Sequence, residues 1–416
     1  MVVAGPDASV GVNGVAPLNG IRVLDFTWVG AGPIGTKLLA EFGADVIKVE
    51  SRRRPDPLRK TGPFAPGDDP LERSGYFADR NAGKRSIALD MTHPRAREVV
   101  LRLTATTDVC AQSFRPGTLE KWGLGYEELI AVRPDLIYLA MPMQGEWGPH
   151  ASFSGFGATL VALCGLHELC GYPDREPVGT GTNYPDHVPN PMHAVFAVLA
   201  ALLHRDATGE GQRIELSQLE STLNVIGPAI EHADLGRSPV RAGNRIPHAA
   251  PHGVFPSRGD DRWIAIAVVD DRRWRALAEL TRIPEFADRE LSHLEGRKVR
   301  EDQIEALLAD WSASQDADEL AAALTSVGIA ASPVRTADEL LAGVGGLLGR
   351  GAFEWLEHPV MGRTVYSAPT PRLSMTPGLL ASPAPLLGAD TDEVLSAIAG
   401  YSAGEIAELR ADGVLT

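Results

Sequence analysis

At 416 residues, with 44% hydrophobic and 22% charged side chains, the chain has room for two domains with substantial cores and the balance of a soluble globular enzyme. A formal net charge of −15 argues against a nucleic-acid or anionic-membrane partner. The three cysteines, Cys110, Cys164 and Cys170, form no CxxC pair or Cys/His cluster, so neither a disulfide framework nor a structural zinc site is indicated.

Residues 1–16 read as a loose tail, lacking the basic segment and apolar core of a secretory signal. The longest apolar runs, 194–203 among them, are far short of a bilayer span, and a cytoplasmic protein is expected. From Ile21 the run IRVLDFT predicts a buried strand, and the turn GAGPIG starts at Gly30. Residues 34–42 predict a helix that Gly43 stops, and 46–50 predict the next strand. This βαβ unit carries G-x-G-x-x-G and an acid, Glu50, 20 residues beyond Gly30, the pattern of a dinucleotide site. An NAD(P)-dependent oxidoreductase is therefore one reading. Against it, Trp28 and Val29 separate the strand from the glycines, and Pro33 lacks the N–H that a pyrophosphate would use.

The basic island SRRRPDPLRK at 51–60 is either a solvated loop or a source of arginines for a phosphate-rich ligand. A strand follows at 87–89, then an amphipathic helix at 94–104. A strand at 108–112 ends in the turn SFRPG from Ser113, and another strand spans 136–140. The alternation predicts an α/β fold, Rossmann-like, with a mostly parallel sheet in a large domain. Amphipathic helices at 274–280, 298–311 and 317–327 predict a smaller α+β domain, after which 327–334 returns the chain to the large one.

The chemistry would turn on the stretch 179–221. Asn190 suits an N-cap and Pro191 the first helical position, and 192–204 is apolar nearly all round, which predicts a buried helix. The Gly-rich turn at 208–211 ends it, and 213–216 predicts a strand. Asp186 lies just ahead of this helix, between Pro185 and Pro189. An Asp so placed is a cap or turn former, or a carboxylate held ionised by the helix N-terminus and able to act as a nucleophile. Spacing leaves both roles open.

Three blocks carry a resemblance: LDFT-x-x-x-AGP-x-x-x-x-LLAEFGADVIKVE from Leu24, N-x-x-K-R-S-I-x-L-D from Asn81, and Tyr-Pro-Asp-His from Tyr184 with ALLHRDATGEGQ downstream. Together they resemble the family III CoA-transferases (CaiB/BaiF), such as formyl-CoA transferase and carnitine CoA-transferase. The likeness covers about 17–416, with further blocks at 243–256 and 383–394. It implies transfer of CoA from an acyl-CoA donor to a carboxylic acid through an aspartyl anhydride and an aspartyl-CoA thioester, with Asp186 as nucleophile. CoA contacts are implied for Val29, Gly30, Ala31, Arg52, Leu89, Asp90, Met91 and Thr92, and for Ser113, Phe114, Arg115 and Lys121. Substrate contacts are implied for Phe156, Gly157, Gly243 and Asn244. CoA and acyl-CoA are substrates in this family rather than permanently bound cofactors, and the chains form interlocked homodimers. The implied domains are 17–222 for the first part of the large CoA-binding domain, 223–330 for a linker and the small domain, and 331–416 for the return.

The same superfamily holds α-methylacyl-CoA racemases, in which a Gly-His-Asp stretch supplies a proton-moving base. Here the stretch reads Gly155-Phe156-Gly157, so that base is missing and a transferase is preferred. A catalytically dead CoA-binding dimer is a third reading, disfavoured by the intact Asp186. His187, His248 and His252 lack a regular ligand spacing, and no metal site is expected. The Pro- and His-rich setting of Asp186 and the apolar stretch 156–166 point to a bulky or aromatic acyl group over formate or oxalate.

Overall fold

The computed structural model describes residues 16–237 and 239–416, so the expected tail lies outside it but for Ala16. The chain divides into two compact units. Of the described residues, 16–167, 179–237 and 346–416 form the first, and 168–178 with 239–345 form the second. The divisions read from the sequence fall elsewhere, at 222/223 and 330/331.

The first unit is built on six parallel strands, β1 (Arg22–Phe26), β2 (Asp45–Glu50), β3 (Arg85–Ala88), β4 (Val109–Gln112), β5 (Ile137–Ala140) and β6 (Arg213–Glu215). Their order is β3-β2-β1-β4-β5-β6, the doubly wound arrangement, so the strand order reverses between β1 and β4. Near-continuous apolar strands such as β4 and β5, buried at every residue, are what a sheet covered on both faces requires. One face packs Leu24, Ile47, Ile87, Cys110 and Tyr138 against the helix Ala96–Thr104 and the C-terminal segment. The other packs Val23, Val46, Val109 and Leu139 against the helices Ala31–Glu41 and Pro189–Thr208.

The second unit carries the antiparallel sheet β7 (His252–Pro256), β8 (Trp263–Ala267) and β9 (Ala330–Pro333). Its core joins Ile264, Ile266, Trp274, Leu277, Ile304, Leu308 and Leu324. The apolar run read as the return to the large domain is thus β9, a short strand whose pairing with β8 no local pattern announces. The helix predicted at 298–311 is two, Leu294–Val299 and Glu301–Ser312, divided at Arg300. In the first unit again, β10 (Phe353–His358) and β11 (Gly362–Ser367) form an antiparallel hairpin.

Two differences bear on the site. The helix expected from residue 34 starts at Ala31, with Gly30 as its N-cap, so the glycine turn is the helix's own first turn. The second helix starts at Pro189, one residue before the expected cap, because Pro189 itself fits the first position. Asn190 is consequently inside the helix and buried. Nor is that helix buried all round: Phe196 is 74% and Leu203 71% exposed, with Met192 and Leu199 beside them on the uncovered face.

Candidate active site

An open cavity of about 390 Å³ lies at the C-terminal ends of the parallel strands, where a doubly wound sheet places its ligands. Residues following β1 (Trp28, Val29, Gly30), β2 (Ser51, Arg54), β3 (Leu89 to Thr92) and β4 (Ser113, Phe114, Arg115) line it. At one place in its wall is Asp186, 5% exposed.

Asp186 belongs to a one-turn helix, Tyr184–His187, rather than to an open loop. Two glycines enclose its side chain. A methyl group at Gly30 would sit 2.7 Å from the Asp186 Cβ and 2.9 Å from Oδ2. One at Gly157 would sit 2.7 Å from Oδ2 and 3.1 Å from Oδ1. Both glycines are therefore demanded by close approach rather than by backbone conformation. The carboxylate accepts no hydrogen bond among the described residues, and burial alone pushes its pKa up, to about 6. The sequence predicts a carboxylate held ionised by the following helix; the shift, caused by burial, runs the other way, toward the protonated form.

Gly30 is held in place from behind. Val29 has φ +69°, a left-handed conformation costly for a β-branched residue, on the order of 1–3 kcal/mol. Its N–H donates to Asp56 Oδ1 at 3.2 Å, and the Trp28 N–H donates to Ser113 Oγ at 3.0 Å. Asp56 in turn accepts from Lys48 Nζ at 2.9 Å, both fully buried. Lys84, from the N-x-x-K-R-S block, donates to Asp25 Oδ2 and to the Pro33 carbonyl at 3.0 Å and to Thr36 Oγ1 at 2.8 Å. Burial lowers its pKa to about 8, against the pull of Asp25. That block braces the first turn of the glycine helix. It does not itself touch the cavity at Lys84.

Of the residues singled out in the sequence, Val29, Gly30, Ala31, Leu89, Asp90, Met91 and Thr92 line this one cavity with Asp186. So do Ser113, Phe114, Arg115, Phe156 and Gly157. Arg52 is outside it, with Arg54 in its place two residues on. Lys121 is also outside: the helix Thr118–Lys121 turns Thr118 and the following Trp122, four apart, toward the cavity. Gly243 and Asn244 belong to the second unit, where Gly243 (φ +57°) packs on the Tyr172 ring and Asn244 borders a different cavity. Sequence reasoning missed Trp28, Trp122, Met143, Phe153 and Gln218. Trp28, Phe114 and Trp122 form an edge-to-face ladder with centroids 5.1 and 5.8 Å apart, a contact between three loops that no spacing reveals.

The dinucleotide reading meets an obstacle in Glu50. Both its oxygens are taken by the buried Arg59, Nη2 to Oε1 at 2.6 Å and Nε to Oε2 at 2.9 Å, so it has no freedom to bind a ribose. The racemase reading lacks its base, since none of the residues lining the cavity is a histidine. His187 turns its ring to Thr182 at 3.2 Å and Tyr76 at 3.4 Å.

The family model of CoA-transferase family III matches residues 18–391. The chain belongs to this family. Succinyl-CoA–D-citramalate CoA-transferase of Chloroflexus aurantiacus is 33% identical over 96% of this chain and 98% of its own. Succinate–glutarate CoA-transferase of Agrobacterium fabrum is 32% identical over 91% and 95%. The crystal structure of a CaiB/BaiF family protein from Brucella suis superposes with a TM-score of 0.85 at 31% identity, covering 92% of this chain and 99% of that one. The protein is thus an enzyme of the family III acyl-CoA:carboxylate CoA-transferases. No helix among the described residues is long and apolar enough to cross a membrane.

Proposed function

We propose that this CoA-transferase works by covalent catalysis on Asp186. The carboxylate attacks the thioester carbonyl of an acyl-CoA donor, forming an aspartyl–acyl anhydride and releasing CoA thiolate. The thiolate attacks the aspartyl carbonyl, freeing the donor acid and leaving an aspartyl-CoA thioester. The acceptor carboxylate attacks that thioester to give a new anhydride. The thiolate then takes the acceptor's acyl group and restores Asp186. Each step exchanges one activated acyl bond for another, so little energy is lost provided water is kept out.

The observation that carries this reading is the carboxylate wedged between Gly30 and Gly157, desolvated and without a hydrogen-bond partner, in the wall of the strand-end cavity. With a pKa of about 6 it is about nine-tenths ionised at pH 7 yet poorly solvated, the condition for a reactive oxygen nucleophile. The first N–H groups of the helix Ala31–Glu41 lack partners within the helix and supply donors for the oxyanions. Val29 to Ala31, Leu89 to Thr92, Ser113 to Arg115 and Arg54 are assigned to CoA, and Phe156 and Gly157 to the acyl group. We further infer an interlocked homodimer in the cytoplasm. The uncovered apolar face of the helix Pro189–Thr208 supports the dimer, as does the neighbouring helix Gly227–Asp234, none of whose residues is buried.

The test is to incubate enzyme and acyl-CoA with hydroxylamine and map the modified peptide. Modification at Asp186, with loss of transfer and retained CoA binding in Asp186→Ala, is the outcome this mechanism requires. An unmodified Asp186 peptide, or substantial turnover by the variant, refutes it.

A further inference from the structure

The loop that brings Gly30 to Asp186 owes its shape to side chains rather than to backbone pairing. Between the end of β1 and the helix Ala31–Glu41, the Thr27 N–H donates to Asp25 Oδ1 at 2.9 Å, the Trp28 N–H to Ser113 Oγ at 3.0 Å and the Val29 N–H to Asp56 Oδ1 at 3.2 Å. The Thr27 carbonyl accepts from Lys48 Nζ at 2.9 Å. Val29 is the residue that most needs holding: at φ +69° a valine returns to negative φ unless its surroundings forbid it. Asp56 also caps the short helix Pro57–Lys60, accepting from the Leu58 N–H at 3.0 Å. Capping alone takes one oxygen and does not call for burial. Here the other oxygen meets Lys48, both side chains are fully buried, and the Asp56 N–H is tied to Glu50, which Arg59 clamps. A buried ion pair can commonly be exchanged for apolar residues without loss of stability, so stability does not account for this one.

We propose that Asp56 is a positioning residue for the transfer. Through the Val29 N–H it holds the left-handed turn that sets Gly30 against the Asp186 side chain and aims the first N–H groups of the helix Ala31–Glu41. The inference rests on the transferase reading above. The assay follows carbon-13-labelled acid entering its own CoA thioester, using whichever of succinate, glutarate, isobutyrate and phenylacetate exchanges fastest, with kcat expressed per folded molecule. Asp56→Ala should lower kcat by about 100-fold. The deciding comparison is with Val29→Gly, because glycine takes a positive φ without strain. In that background removal of Asp56 should cost less than about tenfold. Equal losses in the two backgrounds, or an Asp56→Ala enzyme that is less stable but has unchanged kcat, overturn the proposal while leaving the transferase intact. If Asp56→Ala does not fold, Lys48→Met/Asp56→Ala leaves neither charge of the pair in the interior and is compared with Lys48→Met in the same two backgrounds, with the same outcomes deciding. Absence of exchange for all four acids in the natural enzyme removes the transferase reading, and this proposal with it.

Discussion

Replacing Asp186 by Asn separates the cost of the buried carboxylate from its use. The two side chains have nearly the same shape, so the Gly30 and Gly157 contacts persist while the charge is lost. Burial moves the Asp186 pKa from an ordinary 3.8 to about 6. At about 1.36 kcal/mol per pH unit, keeping it ionised in the folded protein costs about 3 kcal/mol at pH 8. The sign follows from linkage. A carboxyl whose pKa is raised on folding favours the native state while protonated, and that advantage is lost as pH climbs from about 3.8 through about 6. Asp186→Asn should therefore be more stable than the natural chain by up to about 3 kcal/mol at pH 8, shrinking to about 1 kcal/mol at pH 4.5. Urea unfolding of both proteins at the two pH values measures the difference, with coenzyme transfer abolished in the variant. A variant no more stable at pH 8, or a gap that does not narrow in acid, would show that Asp186 is solvated or paired and would remove the argument for its reactivity.

The same titration predicts that kcat/KM of the natural enzyme climbs with pH through about 6 and is level above it, read from a pH–rate profile. Gly157→Ala drives a methyl group to 2.7 Å from Asp186 and should lower turnover by about 100-fold with CoA affinity, measured calorimetrically, changed little. Arg59→Ala strands Glu50 and Glu72 in the interior and should cost about 3–5 kcal/mol in urea unfolding, far more than a surface ion pair. Phe196→Glu puts a charge on the uncovered helix face and should yield monomers by sedimentation, against dimers for the natural chain.

Much of the sheet was legible because its signals are local. Central strands such as β4 and β5 are written as near-continuous apolar runs, and each of the six strands expected in the first unit is present within two or three residues. The turn at Gly209 was equally plain, with φ +79° at the helix end. Gly211 was flagged only as a breaker. Its actual reason is that its Cα lies against the Asp135–Leu136 backbone, where a methyl group would come within 2.3 Å. The small domain was less legible, since β9 is defined by a partner strand and not by its own residues.

By itself the sequence determined the fold class, the family and the identity of the acid on which the chemistry is proposed to turn. Periodicity and motif wording survive without knowledge of the third dimension. Only the tertiary structure decided the state of that acid. Burial raises its pKa, and two glycines 156 and 29 residues away along the chain close on its side chain. It decided as well that Arg54 and Trp122 face the cavity while Arg52 and Lys121 do not. Desolvation and side-chain direction are properties of neighbours in space, and neighbours distant in sequence leave no mark on local spacing.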